Sequence, residues 1–364
     1  MVTEARKAYP VPLKQKMITG HENGLSHMTS SETAARGFDS DRLAAVLARY
    51  TGLPEARLLP FINIESAWDS LIGFYVNGDG HMLVAGPDSR HFIDSITRLG
   101  ADLRQYQSEN PFWADPVGLA DDIDNETCLI YLGHPDPVTG TIYGLSELRH
   151  ILDSAGQVMV VLDESEYEYS HITAQDLLEE YDNLLIFRTL SAFSRLPGND
   201  GGYLLGNPGR LDELAPRLAV SANGTLSEPA LPDGLKKLDF VRQQVADIKE
   251  GLIYLDTRLR GLGFDTRRTP FDRLLIRVPD PDRAVSFLSP HGLAGRNIST
   301  LAGLNGYITL GLESSSEVEK VLDTILLYMA DQATLNDIAG NRTIFSGGGA
   351  YPDCGERELN KNRL

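Results

Sequence analysis

The chain reads as an α/β protein, with a mainly parallel sheet wrapped by helices and a smaller α+β unit after it. Three features predict this. Several short segments are apolar along their whole length, among them TCLIYLG (127–133), QVMVVLDE (157–164) and LLIFRT (184–189). Strands without polar alternation are buried on both faces, the condition of a parallel sheet. Helical segments alternate with them, which places helices against both faces. After about residue 238 the pattern changes to one long helix, two short strands and a closing helix.

The elements follow in order. Leu43, Val46, Leu47 and Tyr50 recur at helical spacing over 41–50, with Ser40 as N-cap and Gly52 just past the end. HMLVAGP (81–87) reads as a strand and HFIDSITRLG (91–100) as a helix closed by glycine. SELRHILDSAG (146–156) is a helix capped by Ser146, and YLLG (203–206) adds a strand. Val241, Val245, Ile248, Leu252, Leu255 and Leu259 mark a long helix ending at Gly261 or Gly263. RLLIRV (273–278) and YITLGL (307–312) are strands, and a helix over 317–329 follows. The acidic run DESEYEYS (163–170) reads as a strand leaving the core, its alternate carboxylates pointing to solvent. This gives an N-terminal segment (1–35), a large α/β domain (36–237), a small α+β domain (238–335) and a tail (336–364).

Composition narrows the function classes. Against 33 Lys and Arg stand 51 Asp and Glu, a formal charge of −18. Nucleic acids and anionic membranes need a basic face, so neither is an expected partner. No apolar run approaches the roughly 18 residues of a bilayer span, and a cytoplasmic protein is expected. The two cysteines, Cys128 and Cys354, provide no disulfide framework and no CxxC motif. Cys128 is expected to be a buried, inert thiol. No HxH or HxxxH spacing supports a metal site, and none is expected.

Several segments then resemble one family in a fixed order. GHPDPVTGT (133–141) is similar to the NPNNPTGT turn of class I/II aminotransferases, and VVLDESEYEY (160–169) to their VVDEAYIEF strand end. FRTLSAF (187–193) resembles their RTLSKAFG loop, PFDRLLIRVPDP (270–281) their ANFVLVRFPD strand, and GYITLGL (306–312) their GYLRITVGT. HENGLS (21–26) echoes an ENP segment, so the resemblance covers about residues 15 to 331. It is closest to the histidinol-phosphate aminotransferase branch. It implies the fold of type I pyridoxal-phosphate (PLP) enzymes: a mainly parallel seven-stranded sheet in the large domain, and a homodimer.

The functional positions of that family are altered here. The lysine that holds PLP covalently falls on Ala192, and no lysine occurs anywhere between Lys16 and Lys236. The arginine that clasps the phosphate falls on Asp200. The asparagine that bonds the ring hydroxyl falls on Pro137, the stacking aromatic on Ser89, and the tyrosine after the aspartate strand on Glu166. The phosphate-binding turn falls near Glu65, Ser66 and Ala67, and the arginine that binds the substrate carboxylate on Tyr307. Asp163, the partner of the pyridine nitrogen, is kept.

From these replacements we expect a degenerate relative without PLP-dependent transamination and without a cofactor. Its acidic cleft, lined by Asp163, Glu166 and Asp200, with His134 and Asp136 nearby, would suit a cationic small molecule. Two alternatives stand beside it: an enzyme using PLP or pyridoxamine phosphate without the covalent lysine, and a non-catalytic partner of an active paralogue in a dimer. If catalysis remains, His134, Asp163 and Glu166 are the candidate acid/base groups, because a carboxylate beside an imidazole tunes both.

Overall fold

The structure is a computed structural model, and it describes residues 40–190, 201–220 and 238–338 apart from positions 77, 79 and 313. The chain divides into two units, 1–37 and 38–364, and everything below concerns the second. The positions expected to matter most in the loop after LLIFRT, Ala192 and Asp200, lie outside the described residues.

A seven-stranded sheet organises the first half. Its strands are β1 (Leu58–Phe61), β2 (His81–Ala85), β3 (Asp102–Tyr106), β4 (Thr127–Gly133), β5 (Met159–Asp163), β6 (Leu184–Thr189) and β7 (Gly202–Gly206), in the order β1-β7-β6-β5-β4-β2-β3. Neighbours from β6 to β3 run parallel, while β7 is antiparallel to both β6 and β1. The expected fold class is therefore found, seven strands included. The central strands behave as their composition requires: β2, β6 and β7 are buried at every position.

Side chains alternate between two separate cores, as the pleat demands. Leu83, Ile130, Leu132, Val160, Leu162 and Ile186 pack on one face, while Met82, Leu129, Tyr131, Val161, Leu185 and Phe187 pack on the other. Helices α1 (Ser40–Thr51), α4 (Pro116–Asp121) and α5 (Leu145–Ala155) cover the first face. Helices α2 (Ile64–Tyr75), α3 (Arg90–Leu99) and α7 (Pro208–Val220) cover the second. Helix α5 starts one residue before Ser146, and its first amide pairing is Gly144 N–H donating to the Glu147 carboxylate at 2.7 Å. The expected serine cap is thus replaced by a glutamate reaching back.

The second half builds a four-stranded antiparallel sheet in the order β10-β11-β9-β8, from β8 (Thr266–Arg268), β9 (Arg273–Arg277), β10 (Gly295–Asn297) and β11 (Tyr307–Gly311). Helices α8 (Leu238–Gly261), α9 (Pro281–Leu288) and α10 (Val318–Ile338) close its core.

The acidic run is the clearest departure from expectation. Instead of a strand shedding charge into water, residues 167–170 form the short helix α6, and Glu164 and Glu168 are buried. Cys128, expected to be buried, is half-exposed.

Candidate functional site

Ligands of open α/β sheets gather at the carboxyl ends of the parallel strands. Here β4 ends at Gly133 and β5 at Asp163, which are register partners. The backbone N–H of His134 donates to the Asp163 carbonyl at 2.9 Å, so two of the predicted residues leave adjacent strands side by side.

The Asp163 carboxylate is held from both sides. Its Oδ1 accepts from the Ser165 amide at 2.9 Å and from the Ser165 hydroxyl, and its Oδ2 accepts from the Tyr131 hydroxyl at 2.9 Å. Tyr131 is fixed in turn by an aromatic floor, edge-on to Trp68 and Phe92, with Trp68 stacked on Phe187 at 4.5 Å. Burial, then the charge of Asp163, raises the Tyr131 pKa well above the ordinary phenol range, so Tyr131 remains a donor. The order of causes is sequence first: alternation along β4 and β6 points Tyr131 and Phe187 to one face, and packing there aims Asp163.

His134 is 2% exposed, and its Nδ1 has no hydrogen-bond partner among the described residues. Burial pushes its pKa down from 6.5 to about 4, so it is neutral at pH 7. Glu166 does not stand as a free acid. Arg273 of β9 donates to it through Nη2 and to the Pro137 carbonyl through Nη1 at 3.0 Å. Burial raises the Glu166 pKa, and the guanidinium works against that.

The other family positions are engaged locally. Ser89 donates to the Gln105 side-chain oxygen at 3.2 Å, and Tyr307 donates to Asp265 at 2.6 Å. In the first turn of α2, Asn63 accepts the Ser66 amide through its side chain (2.7 Å) and the Ala67 amide through its carbonyl (3.0 Å). Asp88, which sequence reasoning passed over, bridges Arg90 and Arg296 at 2.8 Å each. Burial opposes its charge, but the two guanidiniums hold its carboxyl well below the usual range. Of the expected cleft acids, Glu166 is therefore paired with an arginine from distant sequence, whereas Asp163 is held by the neutral donors Tyr131 and Ser165.

A buried ion pair behind the site was also missed. Arg188, 2% exposed, donates to Glu164, 0% exposed, through Nε at 3.0 Å and Nη2 at 2.8 Å. It further donates to Thr173 at 2.7 Å and lies 3.8 Å over the Tyr167 ring, while Glu164 accepts the Ala174 amide at 2.8 Å. Burial disfavours the Arg188 charge, yet Glu164 keeps its pKa above the ordinary value. The pair ties the 164–174 segment to β6. A lone arginine inside the apolar LLIFRT strand was the available signal, because a buried guanidinium requires a buried counter-charge.

Comparisons with known proteins bear on what this arrangement serves. Residues 28–281 match the sequence profile described as aminotransferase class I and II. A dihydroxyacetone phosphate transaminase of Campylobacter jejuni is 24% identical over 256 residues, covering 69% of this chain and 70% of the relative. A histidinol-phosphate aminotransferase of Serratia proteamaculans is 26% identical over 288 residues, covering 76% of this chain and 78% of the relative. A PLP-bound structure from Clostridium difficile superposes with a TM-score of 0.69 at 14% identity, covering 81% of this chain and 85% of that one.

These findings correct the expectation of a protein without a cofactor, since the matched family and its PLP-bound neighbour point to PLP. The error lay in weighing the altered positions above the one retained. Asp163 fits a protonated ring nitrogen: among the described residues its Oδ2 accepts a single hydrogen bond, and a carboxylate oxygen accepts two. No helix of the described residues is long and apolar enough to cross a membrane.

Proposed function

Since the chain belongs to the aminotransferase class I and II family, we propose that it binds the family's coenzyme, as PLP or pyridoxamine phosphate, without a covalent link. Ordinary transamination through a lysine is lost. One observation carries this reading: no lysine stands between Lys16 and Lys236, the stretch that contains Asp163 and the whole seven-stranded sheet. The retained coenzyme supplies an electron sink at its ring nitrogen when bound.

The chain's own residues have distinct roles in this reading. Asp163 holds the ring nitrogen, and Tyr131 and Ser165 fix the orientation of its carboxylate. His134, neutral and beside Asp163, leaves its Nδ1 without a hydrogen-bond partner among the described residues, and burial disfavours its protonated form. Glu166 is held by Arg273, so it orients the loop after β5 against β9 instead of acting as a free base. The small-molecule substrate and the homodimer common in the family are carried over as part of the same proposal.

Equilibrium dialysis against PLP tests it. Saturable uptake that Asp163→Asn weakens about tenfold or more is expected, the scale of one lost charge-assisted hydrogen bond. Amino-group transfer from amino acids to keto acids should stay at the no-enzyme rate. Rapid transamination, or uptake indifferent to Asp163→Asn, would overturn the reading.

A further inference from the structure

The sheet order places a topological switch between β2 and β4: the chain winds outward from β2 to β3, then returns to β4 and proceeds the other way. Crevices at such a switch are the usual ligand sites of open sheets. A cavity of about 30 Å³ lies there, lined by Ala85, Gly86, Tyr106, Trp113, Asp136 and Tyr143 among others. It exceeds the roughly 10–15 Å³ that one water requires. Its lining reaches Gly133, the register partner of Asp163, so it adjoins the Asp163 site. Ala85, Tyr106 and Tyr143 pack with the core on one face of the sheet, whereas Tyr131, which holds Asp163, packs with the core on the other.

Asp136 is the unusual member. It is 7% exposed and forms no salt bridge among the described residues. Its Oδ1 accepts three hydrogen bonds, from the Val138 amide (3.0 Å), the Thr139 amide (2.7 Å) and the Thr139 hydroxyl (2.8 Å). Its Oδ2 faces Gly86, at 2.6 Å from where a Cβ would sit, and Gly86 has a φ of +125° that side chains rarely adopt. Glycine at 86 thus leaves the second oxygen room. An asparagine would cap the same turn through Oδ1. What the acid adds is charge on an oxygen beside a cavity, and a buried charge without a partner is costly.

The surroundings complement a cation. Tyr106 and Tyr143 present aromatic rings, and Trp113, 57% exposed, stands at the rim. Aromatic faces attract ammonium groups, most strongly when desolvated. We propose that this cavity binds an organic ammonium group, its N–H donating to Asp136 Oδ2 and its charge ringed by Trp113, Tyr106 and Tyr143. The argument does not rest on the coenzyme reading, and methylammonium binding and PLP uptake are read out separately.

The test uses the full-length chain, methylammonium chloride as probe and equal concentrations of sodium chloride as control. Trp113 is one of two tryptophans and the other, Trp68, is buried, so emission reports on the rim. A saturable emission change with methylammonium alone is expected. Asp136→Asn should keep the melting midpoint and weaken binding at least about tenfold. Trp113→Ala, at an exposed position, should keep the fold and weaken binding about two- to thirtyfold by calorimetry. A response equal to sodium, or binding unchanged in both variants, would overturn the assignment.

Discussion

Removing Glu164 should be among the most destabilising single changes in the large sheet. In Glu164→Gln the guanidinium of Arg188 stays buried, keeps its contacts with Thr173 and Tyr167, and loses its counter-charge at 2.8–3.0 Å. Breaking one side of a buried pair costs about 3–5 kcal/mol. The lower end applies to Gln, whose amide oxygen can still accept a hydrogen bond. Glu164→Ala adds an unsatisfied Ala174 amide, about 1–3 kcal/mol more at most. Urea unfolding followed by circular dichroism measures the difference. The double variant Glu164→Leu with Arg188→Met should recover most of the loss, because apolar replacement of a whole buried pair is often neutral. A Gln variant within about 1 kcal/mol of the parent, or a double variant worse than the single, would refute the reasoning.

Three further outcomes follow from the geometry. His134 has a folded pKa of about 4 against 6.5, a depressed value. Its contribution is therefore complete above pH 6.5 and is lost as the pH falls toward 4. Over 2.5 units at about 1.4 kcal/mol each this comes to about 3.5 kcal/mol, and denaturant titrations of His134→Asn should show a shallower acid slope; an unchanged slope argues against a buried neutral imidazole. Gly202→Ala should cost more than about 2 kcal/mol, since its Cβ would lie 2.2 Å from the Arg188 carbonyl and 2.4 Å from the Phe61 ring; a thermal midpoint at the parent's value contradicts that close approach. Arg273→Met should cost about 1–2 kcal/mol, discounted because both partners are partly exposed, and should speed amide exchange over 164–171; unchanged exchange there removes the argument that Arg273 orients the loop.

Much of the fold was legible because buried parallel strands announce themselves by uninterrupted Val, Ile and Leu, as in β4, β5 and β6. The edges were not. β1 carries Pro60, which lacks an amide donor and is tolerated because β1 closes one end of the sheet. β3 is the polar segment DLRQY at the other end, without a buried position. At the site, Asp163 and His134 were singled out through the resemblance of two segments to a known family, and they stand at the ends of adjacent strands. The arginines that pair with Glu166 and Asp88 were not, because Arg273 meets Glu166 from 107 positions away and Arg296 meets Asp88 from 208. No local periodicity encodes such pairs. The acidic run misled for a related reason: alternation suggested solvent, while the partners that bury Glu164 and Glu168, Arg188 and Tyr50, lie in other elements.

The central claim is that the coenzyme is held without a bond to the chain, and borohydride reduction followed by intact-mass and peptide analysis tests it most directly. Protein equilibrated with PLP, reduced and then denatured should return its unmodified mass, with all of the B6 compound in the small-molecule fraction. A stoichiometric phosphopyridoxyl adduct on any lysine would contradict the account.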